Sequence, residues 1–172
     1  LKRIKPELLI LPATAALVLL ADQVAKHLVA TRLEVGQPWN PVSWLAPILS
    51  ITHVTNTGVA FGLLQGLGNI FVIAHVVAAV AIIVYSRRLP PGQWALRTAL
   101  GLALGGALGN LIDRVRQGYV VDFIDVNFWP FTEFPVFNVA DSSIVVGVAL
   151  LIGLLMWEER QERLKQQAAE GA

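Results

Sequence analysis

The chain has 172 residues, 55% of them hydrophobic and 15% charged, with a formal net charge of +1 and a mean hydropathy of +0.63. That balance argues against an ordinary water-soluble domain and leaves no basic footprint for nucleic acid. With no cysteine, disulfides, thiolate metal sites and a cysteine nucleophile are all excluded.

A membrane-crossing helix needs roughly 20 mostly apolar residues. Four stretches approach this: Leu8 to Val29, Ile70 to Tyr85, Ala95 to Ile112 and Val139 to Trp157. The expected fold is an all-α membrane protein, one domain over 1–172, with four transmembrane helices. The first stretch follows Lys2, Arg3 and Lys5 in the manner of a secretory signal. Asp22, Gln23 and Lys26 stand where a small-residue cleavage site belongs, so it is read as a retained helix. Asp22 and Lys26 are four apart with the acid first, which sets them on one helical face as an ion pair. The pair reads either as self-neutralising or as a buttress for a site built by neighbouring helices.

Residues 30–69 are too long for a turn. The run Leu49-Ser-Ile-Thr-His-Val-Thr55 alternates in polarity, which predicts short strands lying over the outer membrane surface. Gly58, Gly62, Gly66 and Gly68 punctuate the remainder. In the third apolar stretch Gly101, Gly105 and Gly109 recur at every fourth position with Gly106 beside them, a pattern that admits close approach of another helix. Asn110, Asp113 and Arg114 crowd the end of that stretch and need partners, which predicts a hydrogen-bonded strut between helices.

Residues 113–138 carry Tyr119-Val-Val-Asp-Phe-Ile-Asp-Val126, then Trp129, Phe131, Phe134 and Phe137, an aromatic density suited to the bilayer interface. If residues 120–126 are extended, Asp122 shares a face with Val120, Ile124 and Val126, while Asp125 points the other way with Val121 and Phe123. An apolar setting raises the pKa of Asp122 and lets it hold a proton near neutrality; in water it is an ordinary loop carboxylate. Asn138-Val-Ala-Asp141, opening the last stretch, has nearly the form of a capping box, and negative charge is favoured at a helix N-terminus. The alternative for Asp141 is chemical. Two carboxyls sharing one proton supply a base for water and an acid for a carbonyl oxygen, and Asp122 and Asp141 both lie toward the outer ends of their elements. The tail from Glu158 to Ala172 alternates in charge and reads as a solvated helix end.

Basic residues orient the chain. Lys2, Arg3 and Lys5, then Arg87, Arg88 and Arg97, then Arg160, Arg163 and Lys165 fall on one side of a four-span arrangement, against Arg32, Arg114 and Arg116 on the other. The positive-inside rule therefore expects both termini in the cytoplasm and both longer connections outside. Other chemistries find little support. Ser142 or Ser143 with Lys26 would make a Ser/Lys dyad, but Asp22 keeps that lysine charged and a poor base. His27, His53 and His75 are scattered with no H-E-x-x-H, and read as interfacial or packing residues. No G-x-S-x-G or Walker loop is present, and no metal or cofactor is expected.

Five blocks, in order, carry a resemblance: Asp22-Gln-x-x-Lys26, Asn56-Thr-Gly-Val-Ala-Phe61, Gly105-Gly-Ala-Leu-Gly-Asn-Leu-Ile-Asp-Arg114, Val120-Val-Asp-Phe-Ile124 and Phe137-Asn-Val-Ala-Asp-Ser142. Across nearly its whole length the chain resembles the lipoprotein signal peptidases, or signal peptidase II, of bacterial inner membranes. The resemblance implies a four-helix aspartyl peptidase in which Asp122 and Asp141 are catalytic. It carries over Asp22, Lys26, Asn56, Gly106, Asn110, Asp113, Arg114, Asn138 and Ala140 as the family's other characteristic positions. It implies a diacylglyceryl-bearing prolipoprotein as substrate, cut just before the lipidated cysteine at the outer, periplasmic face, and inhibition by globomycin-type cyclic peptides. Asn56 is then a candidate polar contact to the substrate backbone, with the strand-prone segment as its cradle, and Asn138 a cap that orients Asp141. Two other readings compete: a small proton-coupled transporter using Asp22, Lys26, Asp113 and Asp141 as a relay, and a non-catalytic scaffold whose acids merely cap.

Overall fold

The computed structural model describes residues 6–58 and 68–170. The expectations for Lys2, Arg3 and Lys5, for Gly62 and Gly66, and for the end of the Asn56–Phe61 block fall outside those residues. Helix α1 spans Glu7–Arg32, α2 Gly68–Ser86, α3 Trp94–Gln117 and α4 Val139–Glu170; strands β1 (Pro38–Trp39), β2 (Leu49–Asn56) and β3 (Val120–Val126) complete the order. Among the described residues four helices are long and apolar enough to cross a membrane. The last runs on as an exposed helix through the charged tail.

Helix α3 is the centre of the bundle. Two-thirds (67%) of its most apolar window is buried, against 6% for α2 and 11% for α4, so the latter two turn most of their apolar surface outward. In a bilayer that outward surface meets lipid, where burial within protein is not required. What lets α1 and α4 close on α3 is the absence of side chains. A Cβ on Gly105 would lie 2.7 Å from the Ala15 carbonyl oxygen of α1, and one on Gly106 would run into the Ala140 carbonyl oxygen of α4. The fourfold glycine repeat thus works on two sides of one helix.

The three strands form one antiparallel sheet in the order β1-β2-β3. Gly118 ends α3 in the left-handed region (φ 81°), its N–H returning to the Arg114 carbonyl oxygen at 3.1 Å, and the chain enters β3 two residues later. Only glycine adopts that conformation without strain. The sheet rests on α1 through Val29, packed with Val121 and Phe123. Asp122 and Val120 face the other side, into a cavity. The alternation expected along β3 holds for these residues, but Ile124 also packs against the Val121 and Phe123 group. Asp125 accepts from the Thr52 (2.8 Å) and Ser50 (3.3 Å) hydroxyls across the sheet.

The polar ties at the two ends of the bundle define its polarity. At one end, the Gly92 N–H donates to Glu7 (2.7 Å) and the Gln93 amide to Glu158 (2.9 Å), joining the start of α1, the α2–α3 connection and the far part of α4. Arg97 is buried there, donating to the Leu89 carbonyl oxygen at 3.1 Å. The opposite end holds the sheet, the C-terminus of α3 and the N-terminus of α4.

Candidate active site

Two buried polar clusters meet at the sheet end of the bundle. The first is built on the i, i+4 pair of α1. Asp22 is fully buried and Lys26 is 3% exposed, with the Lys26 Nζ lying 2.8 Å from Asp22 Oδ2 and 2.9 Å from Asp113 Oδ2 of α3. The contact to Asp113 is off the hydrogen-bond axis, so it is an ion pair only. Nζ donates instead to Asn110 Oδ1 at 2.8 Å. Asp22 reaches the fourth helix as well, its Oδ1 accepting the Ala140 N–H at 2.9 Å. Ala140 is fully buried, and both its N–H and its carbonyl oxygen face this seam. Burying charges is costly unless they are paired and hydrogen-bonded, and here one lysine serves two carboxylates on two helices.

The second cluster is the pair Asp122 and Asp141. Asp141 closes the capping box foreseen from the sequence: its N–H donates to Asn138 Oδ1 (2.9 Å), and the Asn138 N–H returns to Asp141 Oδ2 (3.3 Å). The Asn138 side chain does more than cap. Its Nδ2 donates to Asp122 Oδ1 at 2.6 Å, so one fully buried asparagine joins the helix start to the strand. Asn56 of β2 donates to the other oxygen, Asp122 Oδ2, at 2.8 Å, and Asn110 of α3 donates to Asp141 Oδ1 at 2.7 Å. Every oxygen of both carboxyls therefore receives an N–H.

The pair lines a cavity of about 350 Å³ together with Asn56, Asn110, Arg114 and His75. Phe134, Pro135 and Phe137 form another wall, and Phe134 belongs to an edge-to-face ladder running from Phe128 through Phe131 to Phe137. Arg114 stacks over Phe71 of α2 (5.2 Å to the ring centre) and donates to the Gly58 carbonyl oxygen at 3.0 Å. Its Nε and Nη1 are buried without a hydrogen-bond partner among the described residues. Burial pushes the Asp122 carboxyl up from 3.8 to about 6; the neighbouring Asp141 charge adds to this, while the Asn56 and Asn138 amides hold it back. A carboxyl so placed carries its proton over much of the range where an exposed aspartate has lost it.

Asp22, Lys26, Asn56, Gly106, Asn110, Asp113, Arg114, Asp122, Asn138, Ala140 and Asp141, the candidate site residues of the sequence, come together here. Asn110 is the strut expected at the end of α3, reaching α1 and α4 at once. Asn56 is tied to the catalytic candidates: its Oδ1 accepts the Gly58 N–H (2.9 Å) and its amide donates to Asp122. Three participants were given no role in the site from sequence. Gln23, part of the first block, bridges to Asp113 (2.9 Å), and Phe71 and His75, the latter read as an interfacial or packing residue, reach the cavity from the apolar helix α2. The His75 Nδ1 lies 2.6 Å from the Phe71 carbonyl oxygen. No group of three or more potential metal ligands occurs among the described residues.

Comparison with known proteins gives this architecture its relatives. The family profile described as "Signal peptidase (SPase) II" matches residues 14–157. A lipoprotein signal peptidase of Moorella thermoacetica is 45% identical over 142 residues, 83% of this chain and 89% of that protein. One from Desulfitobacterium hafniense is 43% identical over 150 residues, 87% of this chain and 95% of that protein. A bacterial membrane enzyme solved by the in meso method at 2.3 Å superposes with a TM-score of 0.77 at 36% identity, covering 87% of this chain and 88% of the other. With four apolar helices around a shared polar seam and relatives matching along most of its length, this chain is a bacterial membrane protein and belongs to the signal peptidase II family.

Proposed function

We propose that the chain is an aspartic endopeptidase that removes the signal peptide from diacylglyceryl-modified prolipoproteins, with Asp122 and Asp141 as its catalytic pair. Removal of signal peptides from prolipoproteins is the family's function. The observation that carries the catalytic reading is the convergence of two carboxyls, distant in sequence, on one cavity and one bridging asparagine. One of them is ionised and takes a proton from a water molecule as its oxygen bonds to the scissile carbonyl carbon. The other, protonated, gives its proton to the carbonyl oxygen. Collapse of the tetrahedral species breaks the C–N bond, and the proton taken from water passes to the leaving amine. The N–H groups of Arg114 that have no partner among the described residues are available to a peptide carbonyl in the same cavity.

The cut falls just before the lipidated cysteine in this reading, at the outer face of the inner membrane. Supporting this, Arg87, Arg88, Arg160, Arg163 and Lys165 belong to the connection and the helix joined at the end opposite the sheet, which the positive-inside rule assigns to the cytoplasm along with both termini. Exposed Phe128, Trp129, Phe131 and Phe134 beside the cavity suit the outer interface, where a lipid-anchored substrate lies. Membrane lipid and globomycin-type cyclic peptides are the further partners of this reading.

Cleavage of a lipid-modified precursor in detergent tests it. Asp122→Asn and Asp141→Asn each abolish turnover while the yield of folded protein stays near normal; turnover retained in either variant removes the pair from the chemistry. A proton-coupled transporter would instead show pH-driven flux in vesicles and no precursor cleavage.

A further inference from the structure

Three asparagines hold the two carboxyls, and each is oriented by a group that can only donate. Asn56 Oδ1 accepts from the Gly58 backbone N–H and Asn138 Oδ1 from the Asp141 backbone N–H. Asn110 Oδ1 accepts from the Lys26 ammonium. An amide whose oxygen faces an obligate donor must turn its NH2 the other way. For Asn56 and Asn138 the donor is main chain and comes with the fold. For Asn110 it is a side chain, held in place by Asp22 and Asp113. That oxygen has a second, longer donor: Asn138 Nδ2, which gives one N–H to Asp122 at 2.6 Å, reaches it at 3.3 Å, so the short bond from Lys26 is the stronger hold.

The orientation of this one side chain bears on the protonation of the pair. With its oxygen on Lys26, Asn110 offers Asp141 an N–H, which favours the carboxylate; flipped, it would offer an oxygen, which favours the carboxylic acid. Asp141 also receives the Asn138 backbone N–H and sits at the N-terminus of α4, where negative charge is stabilised. Asp122 lies in a strand, outside the first turn of any helix.

We propose that Lys26 is a positioning residue for the reaction: by holding the Asn110 oxygen it fixes Asp141 as the ionised base and leaves the shared proton on Asp122. This assignment rests on the dyad reading and adds to it which carboxyl does which task. The raised value of Asp122 is in accord. Other titratable or charged groups that face the pair or back it are His75 from α2, Arg114 and Asp113 from α3, and Asp22 from α1.

The test is the pH profile of kcat/KM for lipidated-precursor cleavage by a charge-matched double variant, Lys26→Met with Asp113→Asn. It removes one positive and one negative charge from the cluster, so its net charge is kept while Asn110 loses its short, charged donor and retains only the longer bond from Asn138. The expected result is a kcat lower by about 10²-fold with KM little changed, and an acidic limb moved roughly one unit to higher pH. A wild-type profile and kcat overturn the proposal even if the melting temperature falls, because a merely structural lysine moves only the latter. Should the double variant fail to fold, Asn110→Asp decides. It leaves Lys26 its acceptor but gives Asp141 no N–H, so kcat falls and the acidic limb rises, whereas an unchanged profile overturns the proposal. Asp122→Asn and Asp141→Asn run alongside separate the two levels. Turnover in those variants sinks the dyad; their inactivity with unshifted profiles in the others sinks only the role of Lys26.

Discussion

Two acidic clusters share one end of the bundle, linked through Asn110, and they are held in opposite ways. Asp22 and Asp113 each face the same lysine within 3 Å, so both are paired with a cation. Asp122 and Asp141 are surrounded by neutral amides, and Arg114, the cation sharing their cavity, makes no ion pair with either among the described residues. A carboxylate locked to an ammonium is of little use as an acid or base, because giving or taking a proton costs the whole pair. A carboxyl held by amides keeps its place in either state. The first cluster is thus suited to building and the second to proton transfer, and substitutions should separate the two.

The sharpest contrast is in activity. Asp122→Asn or Asp141→Asn lowers kcat by about three orders of magnitude or more with a much smaller change in thermal melts, since each keeps the side-chain shape and, at 141, an oxygen for the Asn138 N–H. Asp22→Ala strips Lys26 and the Ala140 N–H of a partner at a site with no exposure, and should cost roughly 3–5 kcal/mol of stability. Melting in detergent measures it, and an unchanged melt would erase the distinction between the clusters. Gly106→Val drives a side chain into the Ala140 carbonyl and should cost about 1–3 kcal/mol, with lost activity as α3 and α4 part.

Smaller effects concern pH. Asp122 has a folded value of about 6 against an ordinary 3.8, so the folded protein binds that proton more tightly than the unfolded chain. The stability this supplies is complete below about pH 4 and is lost as pH rises through 6. The infrared carbonyl band of a protonated carboxyl, assigned by its loss in Asp122→Asn, should titrate near 6. Asp141→Asn removes the neighbouring charge and should lower that midpoint by up to about a unit. The smallest effect is the exposed pair Glu159–Arg163 on the tail of α4. Arg163→Ala should leave melting and cleavage unchanged, since exposed ion pairs contribute little.

Local features of this site are legible in the sequence. The Asn138–Asp141 capping box needs only four consecutive residues, the Asp22–Lys26 pair only one helical turn, and the glycine faces only a period of four. Each is set by geometry within one element. What spans elements is not legible: that Asn138 also reaches Asp122, that Lys26 reaches Asp113 and Asn110, or that Phe71 and His75 of α2 line the cavity. These depend on helix separations fixed by close glycine contacts, for which periodicity gives the face but not the neighbour. The alternation along β3 places Asp122 beside Val120, as the structure has it, but not the packing of Ile124, which joins the Val121 and Phe123 group and also bridges to Phe137 from outside the regular strands.

The asparagine that starts α4 binds the helix with one end of its amide and Asp122 with the other. Fraying of that first turn would therefore disarm the enzyme long before the bundle melts. Slow amide exchange at Asp141 and the loss of cleavage on gentle heating should follow one common curve, making the last helix's opening turn a latch whose release can be timed.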